Sequence, residues 1–253
     1  MIVQTSKNLD QLPHLKAYLS AMRPIPRGSF WLGGCYAENI NGSFISVDEF
    51  QLAATTVTWA LWNEYVVSSN IAGKSLQMPA KPSWDIRYDH PVVNVSWDDI
   101  TNPGGFCDWA STVSGKRLTL PTEYQWEYAA RGGLTRKRYP WGDDYDKSRL
   151  WSSQSNNGDR KSTASVNRKD NIFVNGYGLT DMVGNVSQWC SDFHYDPYSI
   201  VNNALTGKKT THRNARGGDW FWMDHQIFRC DWRVGDKPTL RHHTVGFRLA
   251  KLT

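Results

Sequence analysis

Cysteine is scarce in this chain: four residues in 253, Cys35, Cys107, Cys190 and Cys230, with no CxxC pair among them. Zinc ribbons and thioredoxin-type redox motifs need such pairs, so both classes are excluded. No apolar run approaches the roughly 20 residues that a membrane-crossing helix requires. The opening stretch MIVQTSKNLDQLPHLKAYL has no basic segment followed by an apolar one, so no secretory signal is expected. A cytoplasmic location with reduced thiols is the corresponding expectation, and a phage-borne protein would read the same way. Phosphate-binding loops, the G-x-S-x-G elbow and H-E-x-x-H are missing, and no carboxylate spacing marks a catalytic pair. Charge of one sign is also in short supply. Lys and Arg number 29 against 24 Asp and Glu, a net +5 spread along the chain. The basic runs Arg136-Lys137-Arg138 and Lys208-Lys209 read as solvated faces, so nucleic acid is not the expected partner, nor is a membrane.

Aromatic residues, by contrast, abound: 13 Trp, 11 Tyr and 9 Phe. Disordered chains lack such rings, and a chain of this length buries roughly 73% of its unfolded surface. Helical patterns are few. Thr58 caps a predicted helix through Val67, with Trp59, Trp62 and Val66 on one face. Ser96 and Asp99 form a capping box opening a second, which Pro103, Gly104 and Gly105 interrupt before FCDWASTV resumes. Thr122, with Gln125 three residues on, starts a third that ends at Gly132-Gly133, with Trp126, Ala129 and Ala130 toward the core. Elsewhere Gly, Asn, Asp and Trp surround short apolar runs such as Gly28 to Leu32 and Val245 to Leu249, which predicts short strands between long ordered loops. Thr206 to Arg213 reads as a solvated loop, and Pro140-Trp141-Gly142-Asp143 as a turn carrying a buried indole. The expected class is α+β, one domain over residues 1–253, with residues 1–24 an N-terminal extension.

Several segments in order carry a resemblance: IPRGSFWLGG (Ile25 to Gly34), PVVNVSWDD (Pro91 to Asp99), GKRLTLPTEYQWEYAARGG (Gly115 to Gly133), YPWGDD (Tyr139 to Asp144), NGYGLTDMVGNVSQW (Asn175 to Trp189) and RGGDW…GFRLA (Arg216 to Ala250). Together they resemble the formylglycine-generating-enzyme, or sulfatase-modifying-factor, family, which implies its C-type-lectin-like fold. Fold alone does not settle function. The resemblance implies that oxidising members hold copper(I) between two cysteines after a GGS-type turn, as soft thiolates suit that ion. Here Trp222 stands near the first cysteine's place, Ile227 near the second's, and Asp219 replaces the serine. Cys230 matches a structural cysteine whose partner position holds Ala130, and Cys107 faces Leu249 in the same sense, so neither implied disulfide can form. A three-histidine iron site of a related class belongs to a separate N-terminal helical domain, and adjacent His242-His243 lacks ligand spacing. Arg131 and Arg248 are expected to tie loops together through carbonyl or carboxylate contacts.

One branch of the family comprises the variable proteins of diversity-generating retroelements, which display a hypermutated C-terminal segment on a fixed frame. This chain resembles that frame at Gly217-Gly218-Asp219-Trp220, Arg229, Arg233, Pro238, Arg241 and Gly246-Phe247-Arg248, within a binding segment at residues 216–250. The residues between fit neither a strand period nor a helical one, and aromatics interleaved with short polar groups describe recognition surfaces. One contiguous solvent-facing patch is therefore expected. It takes in Phe221, Trp222, Met223, Asp224, His225, Gln226 and Ile227; then Asp231, Trp232, Val234, Gly235, Asp236 and Lys237; and last Thr239, Leu240, His242, His243 and Thr244. A competing reading puts roughly half of its large apolar side chains in the core. A protein or other macromolecule suits so broad a surface as ligand. No cofactor is required on this reading. The resemblance also implies calcium beside a GNVWEW-like turn, here GNVSQW, with Asn185, Val186 and Gln188 as the candidate ligands; Gln188 replaces an acid, which weakens such a site. A formylglycine-generating-type oxidase with an altered site remains the alternative.

Overall fold

The computed structural model describes residues 8–33, 43–153, 161–168, 174–201 and 204–252. Helix α1 (Pro13–Ser20) opens with proline in its first turn, where a missing N–H costs nothing. Strands β1 (Arg23–Ile25), β2 (Gly28–Leu32), β3 (Ser43–Val47) and β4 (Phe50–Leu52) follow. The next helices are α2 (Trp59–Ile71), α3 (Trp97–Thr101) and α4 (Phe106–Ser114). After β5 (Leu118–Thr119) comes α5 (Glu123–Arg131). The chain ends in a long hairpin, β6 (Ser187–Val201) and β7 (Ala204–Arg216), then β8 (Arg233–Asp236), β9 (Val245–Gly246) and β10 (Ala250–Lys251).

The three predicted helices form where their caps predict them. The Thr58 hydroxyl accepts from the Leu61 N–H at 3.3 Å, and capping boxes close at Ser96/Asp99 and Thr122/Gln125. Helix α2 runs four residues past Val67 because Ser68 and Ser69 are buried too. The left-handed Gly132 ends α5. Thr122→Ala removes one side-chain acceptor from the α5 end; we expect a loss of about 1 kcal/mol in chemical unfolding, with the fold retained.

The first and last strands meet in one sheet, ordered β1-β4-β10-β5, so the chain returns to where it began. A second sheet, β8-β7-β6-β9, carries the long hairpin and pairs β6 with β9 in parallel. One core region gathers α1, α2 and α4 around stacked Trp62 and Phe106, with Phe247 edge-on to both. The other surrounds Trp126 on α5 with Leu150, Phe228 and Cys230. Cys107 shares the first region with Leu249, and Cys230 the second with Ala130, the pairings that the family resemblance implies. Cys107, Cys190 and Cys230 are buried, with no disulfide among the three; Cys35 lies outside the described residues. Among the described residues no helix is long and apolar enough to cross a membrane.

Four expectations need correction. Thr206 to Arg213 is part of strand β7, not a loop, with Thr206, Gly207, Lys209 and Arg213 paired to β6. Strands of 15 and 13 residues likewise replace the short ones expected there. The segment before Ile25 is not a mere extension: Leu12, Leu15 and Leu19 are buried in the first core region. Trp141 is half-buried, stacked on Tyr139 with its N–H donated to the Asp144 carbonyl.

Candidate functional site

The C-terminal segment begins on a buried charge network. Helical spacing places Glu123, Glu127 and Arg131 on one face of α5. Arg216, at the end of β7, reaches Glu127 at 2.7 Å and Glu123 at 3.2 Å, while Arg131 holds the other Glu127 oxygen at 2.6 Å. Arg233 grips both oxygens of Glu123, at 2.6 and 2.9 Å. Arg216 also donates to the carbonyls of Cys230 and Trp232, fixing the backbone on which the exposed side chains are mounted. The remaining frame arginines are held in the same manner. Arg229 makes a two-point pair with Asp231, Arg241 reaches Asp99, and buried Arg248 donates to the carbonyls of Ala53, Ala54 and Thr180 and to Gln188. Arg131 and Arg248 thus tie loops together, as expected. The turn after Arg216 needs glycine twice. Gly217 (φ 96°) and Gly218 (φ 63°) are left-handed, and added Cβ atoms would lie 2.6 Å from the Met182 carbonyl oxygen and 2.9 Å from that of Ile227.

Between these anchors the side chains turn outward. Phe221, Trp222 and Met223 are 53%, 57% and 66% exposed, unusual for large apolar groups in sequence. Asp224, His225, Trp232, Val234, Lys237, Thr239 and His242 are exposed as well; Gln226, Gly235, Asp236, Leu240 and His243 are intermediate. Three expected surface positions are buried instead. Ile227 packs in the second core region under Gly218, Asp231 is spent on Arg229, and Thr244 sits beneath His242 with its carbonyl accepting from the Ser187 N–H. Phe221, Trp222, Met223, Asp224, Trp232, Val234, Asp236, Leu240 and His242 border two adjoining hollows that share Trp222 and Asp224; His225, Gln226, Gly235, Lys237, Thr239 and His243 line neither. The larger has a volume of about 590 Å³, with Trp222, Trp232, Val234 and Leu240 as apolar lining and Asp219 and Ser187 among its polar groups. The other lies along Trp220, Phe221, Trp222 and Met223.

Two groups, one lining the larger hollow and one behind it, were not legible as site residues. Asp219 is 4% exposed, and burial raises its carboxyl above the ordinary carboxylate range. It accepts from the Phe221 N–H and is hydrogen-bonded by Thr244, whose hydroxyl oxygen in turn lies 2.8 Å from His242 Nδ1. Trp84, far off in sequence, packs edge-on to Trp220 at 5.1 Å and against His243, so it props the aromatic blade from behind. His243 is thereby drawn into a ring cluster, and burial, followed by its neighbour His242, lowers its pKa.

Neither metal that the resemblance implies fits the side chains present. Gln188 Oε1 already accepts from Trp126 Nε1 and Arg248 Nε, and its amide donates to the Asp181 carbonyl. The Asn185 amide is occupied by both backbone groups of Ala164 and by Asp181, and Arg168 neutralises Asp181. Val186 is a core side chain. A hard cation needs six or more oxygens, and the side-chain oxygens of Asn185 and Gln188 have been given to N–H donors. We expect the melting temperature to be the same in calcium and in chelator, measured by thermal unfolding. For copper(I), Trp222 is exposed and Ile227 is in the core, so the two positions present no thiolate pair. Burial raises the Cys190 thiol well above its usual pKa and pushes Cys107 up to about 12, which keeps both protonated. Among the described residues no cluster of three or more His, Cys, Asp or Glu could hold a metal.

A three-sheet α+β scaffold whose first and last strands share a sheet, carrying a glycine turn and an arginine-anchored loop segment, defines the C-type-lectin-like class. Treponema denticola variable protein 1 shares this fold with a TM-score of 0.67 at 22% identity, over 91% of this chain and 94% of that one. PvdO from Pseudomonas aeruginosa does so with a TM-score of 0.75 at 23% identity, over 92% and 94%. The sequence model for the sulfatase-modifying factor enzyme 1-like domain matches residues 11–253, and the chain belongs to that family. It is 35% identical to the formylglycine-generating enzyme of Streptomyces coelicolor over 72% of this chain and 59% of the enzyme. It is 30% identical to the inactive C-alpha-formylglycine-generating enzyme 2 of Bos taurus over 82% of this chain and 71% of that protein. The chain spans between half and three fifths of the formylglycine-generating enzymes of Mus musculus and Streptomyces coelicolor.

Proposed function

We propose that this chain is a non-catalytic binding protein of the diversity-generating-retroelement type, which presents residues 216–250 as a variable surface to a protein ligand. One observation carries the reading: the frame arginines are locked into carboxylates and carbonyls, whereas most side chains between them face solvent. Substitution at an exposed position costs little stability, so such a division allows the surface to change while the fold persists. Rigid aromatic side chains supply contact area at low entropic cost, and two, Phe221 and Trp222, stand together beside the exposed Met223. The shared fold of the Treponema variable protein is consistent with this reading. Adenine-directed mutagenesis of asparagine codons reaches Phe, Asp, His, Val and Thr, and of lysine codons Trp, Met, Gln and Lys. The gene's neighbourhood tests the proposal. A near-copy of the Trp220–Gly246 coding segment, differing only at adenines and lying beside a reverse transcriptase, is expected; a neighbourhood with neither contradicts it.

Identity of about a third to formylglycine-generating enzymes favours a second reading, an oxidase with an altered site. Its test is oxygen consumption with copper and a cysteine-containing peptide. Sustained turnover would establish that reading over ours.

A further inference from the structure

Asp219, Thr244 and His242 form a chain of hydrogen bonds that runs from the buried frame to the larger hollow. Asp219 is buried, and four donors meet its carboxyl: the N–H groups of Phe221 and Trp222 and the hydroxyls of Thr244 and Ser187, the last at 3.5 Å. An ionised carboxylate is an acceptor only, with about four lone-pair sites, a number that these donors match. Hydrogen bonds of this kind favour the charged form against the burial that opposes it. The one hydroxyl proton of Thr244 is therefore committed to Asp219.

That commitment decides the state of His242. The Thr244 hydroxyl oxygen lies 2.8 Å from His242 Nδ1. With its own proton given to Asp219, that oxygen accepts, so Nδ1 carries the hydrogen. The reverse polarity would set a hydroxyl lone pair against a carboxylate oxygen. A neutral imidazole protonated at Nδ1 has a bare Nε2, which is an acceptor. Nε2 makes no hydrogen bond among the described residues, and His242 is exposed and lines the hollow. The ring is also backed. His243 lies 4.3 Å from it, ring to ring, and packs in turn on Trp84 and Trp220. Both the orientation and the polarity of this imidazole are thus set before a ligand arrives.

We propose that His242 is a specificity-determining residue of this face: Asp219, acting through Thr244, holds it as Nδ1–H, and Nε2 accepts from an N–H or O–H donor of the protein partner. The inference rests on the reading of this face as a protein-binding surface and names the polarity of the group that the surface selects. A partner acceptor at the same place would meet a lone pair, and burying two acceptors against each other costs affinity. Thr244 and Asp219 are positioning residues, since they act on the ligand through His242.

The test is nitrogen-15 NMR of the full chain labelled at histidine, at about pH 8, where histidine is ordinarily neutral. The signals lost in His242→Ala identify the ring. Nδ1 should be protonated and Nε2 bare, the opposite of the form that free histidine favours in water. Thr244→Val removes the hydroxyl and should return the ring to Nε2–H. Phenol at about 10 mM should move the Nε2 signal of the unmodified chain, whereas anisole, the same ring without a donor, should leave it in place. A ring protonated at Nε2 in the unmodified chain overturns the inference. So does an equal response to the two probes, a response to neither, or an unchanged Nδ1–H ring in folded Thr244→Val. The spectrum of the unmodified chain stands even if the variant does not fold. A template repeat beside the gene together with a ring protonated at Nε2 removes this inference alone. A fixed Nδ1–H ring that responds to phenol, without a repeat, removes the diversification reading and leaves a donor-selecting cleft.

Discussion

Arg216→Ala should destabilise the folded chain by about 3–5 kcal/mol, enough to unfold a domain of ordinary stability. The side chain is 1% exposed and closes a network that includes Glu123, Glu127, Arg131 and Arg233. Removing it leaves two buried carboxylates short of a cation and frees the carbonyls of Cys230 and Trp232 from their shared donor. The loss therefore exceeds that of one surface ion pair, which is worth well under about 1 kcal/mol. Denaturant unfolding followed by tryptophan fluorescence measures it. A change smaller than about 1 kcal/mol would mean that the network is not what anchors the segment.

Truncation of the exposed indoles should act on binding and not on folding. Trp222→Ala and Trp232→Ala are each expected to weaken the protein ligand by about 2 kcal/mol or more, roughly a 30-fold rise in Kd, because large aromatic side chains at the centre of an interface carry most of its energy. Trp222 is more than half exposed, so its removal opens no core cavity, and stability should move by no more than about 0.5 kcal/mol. Trp232 lies nearer the frame, since Arg216 holds its carbonyl, but that contact is with the backbone and survives the substitution. Unchanged affinity in both variants would place the contact surface elsewhere on the molecule.

Much of this was legible in the sequence. Cap residues announce helices because their side chains bond to backbone groups only a few residues away, and Thr58, Ser96 and Thr122 do so here. The frame arginines were legible by resemblance, although their partners were not: the carboxylate that grips Arg233 is Glu123, on a helix far earlier in the chain. The long hairpin has a weak local signal because β6 carries two aspartates and a proline and β7 a glycine, two lysines and an asparagine, residue types depleted in strands, and only the mutual pairing of the arms makes them strands. Exposure of individual loop residues was partly misread for a related reason. Ile227, Asp231 and Thr244 each adjoin a buried residue on one side and an exposed or half-buried one on the other, and only the close approach of Gly218, Arg229 and Ser187 reveals that they point inward. The buried, hydrogen-bonded environment of Asp219 had no local signal at all, because it depends on Ser187 and Thr244 from other segments.

The account turns on a division between fixed anchors and replaceable side chains, and one measurement addresses it directly. Every substitution across residues 216–250 can be displayed on a cell surface and scored for protease resistance. Phe221, Trp222, Met223, Asp224 and His225 should tolerate nearly all residues, while Arg216, Gly217, Gly218, Arg233 and Arg248 tolerate almost none. Intolerance at Phe221 to Met223 as strict as that at Arg216 would contradict the account.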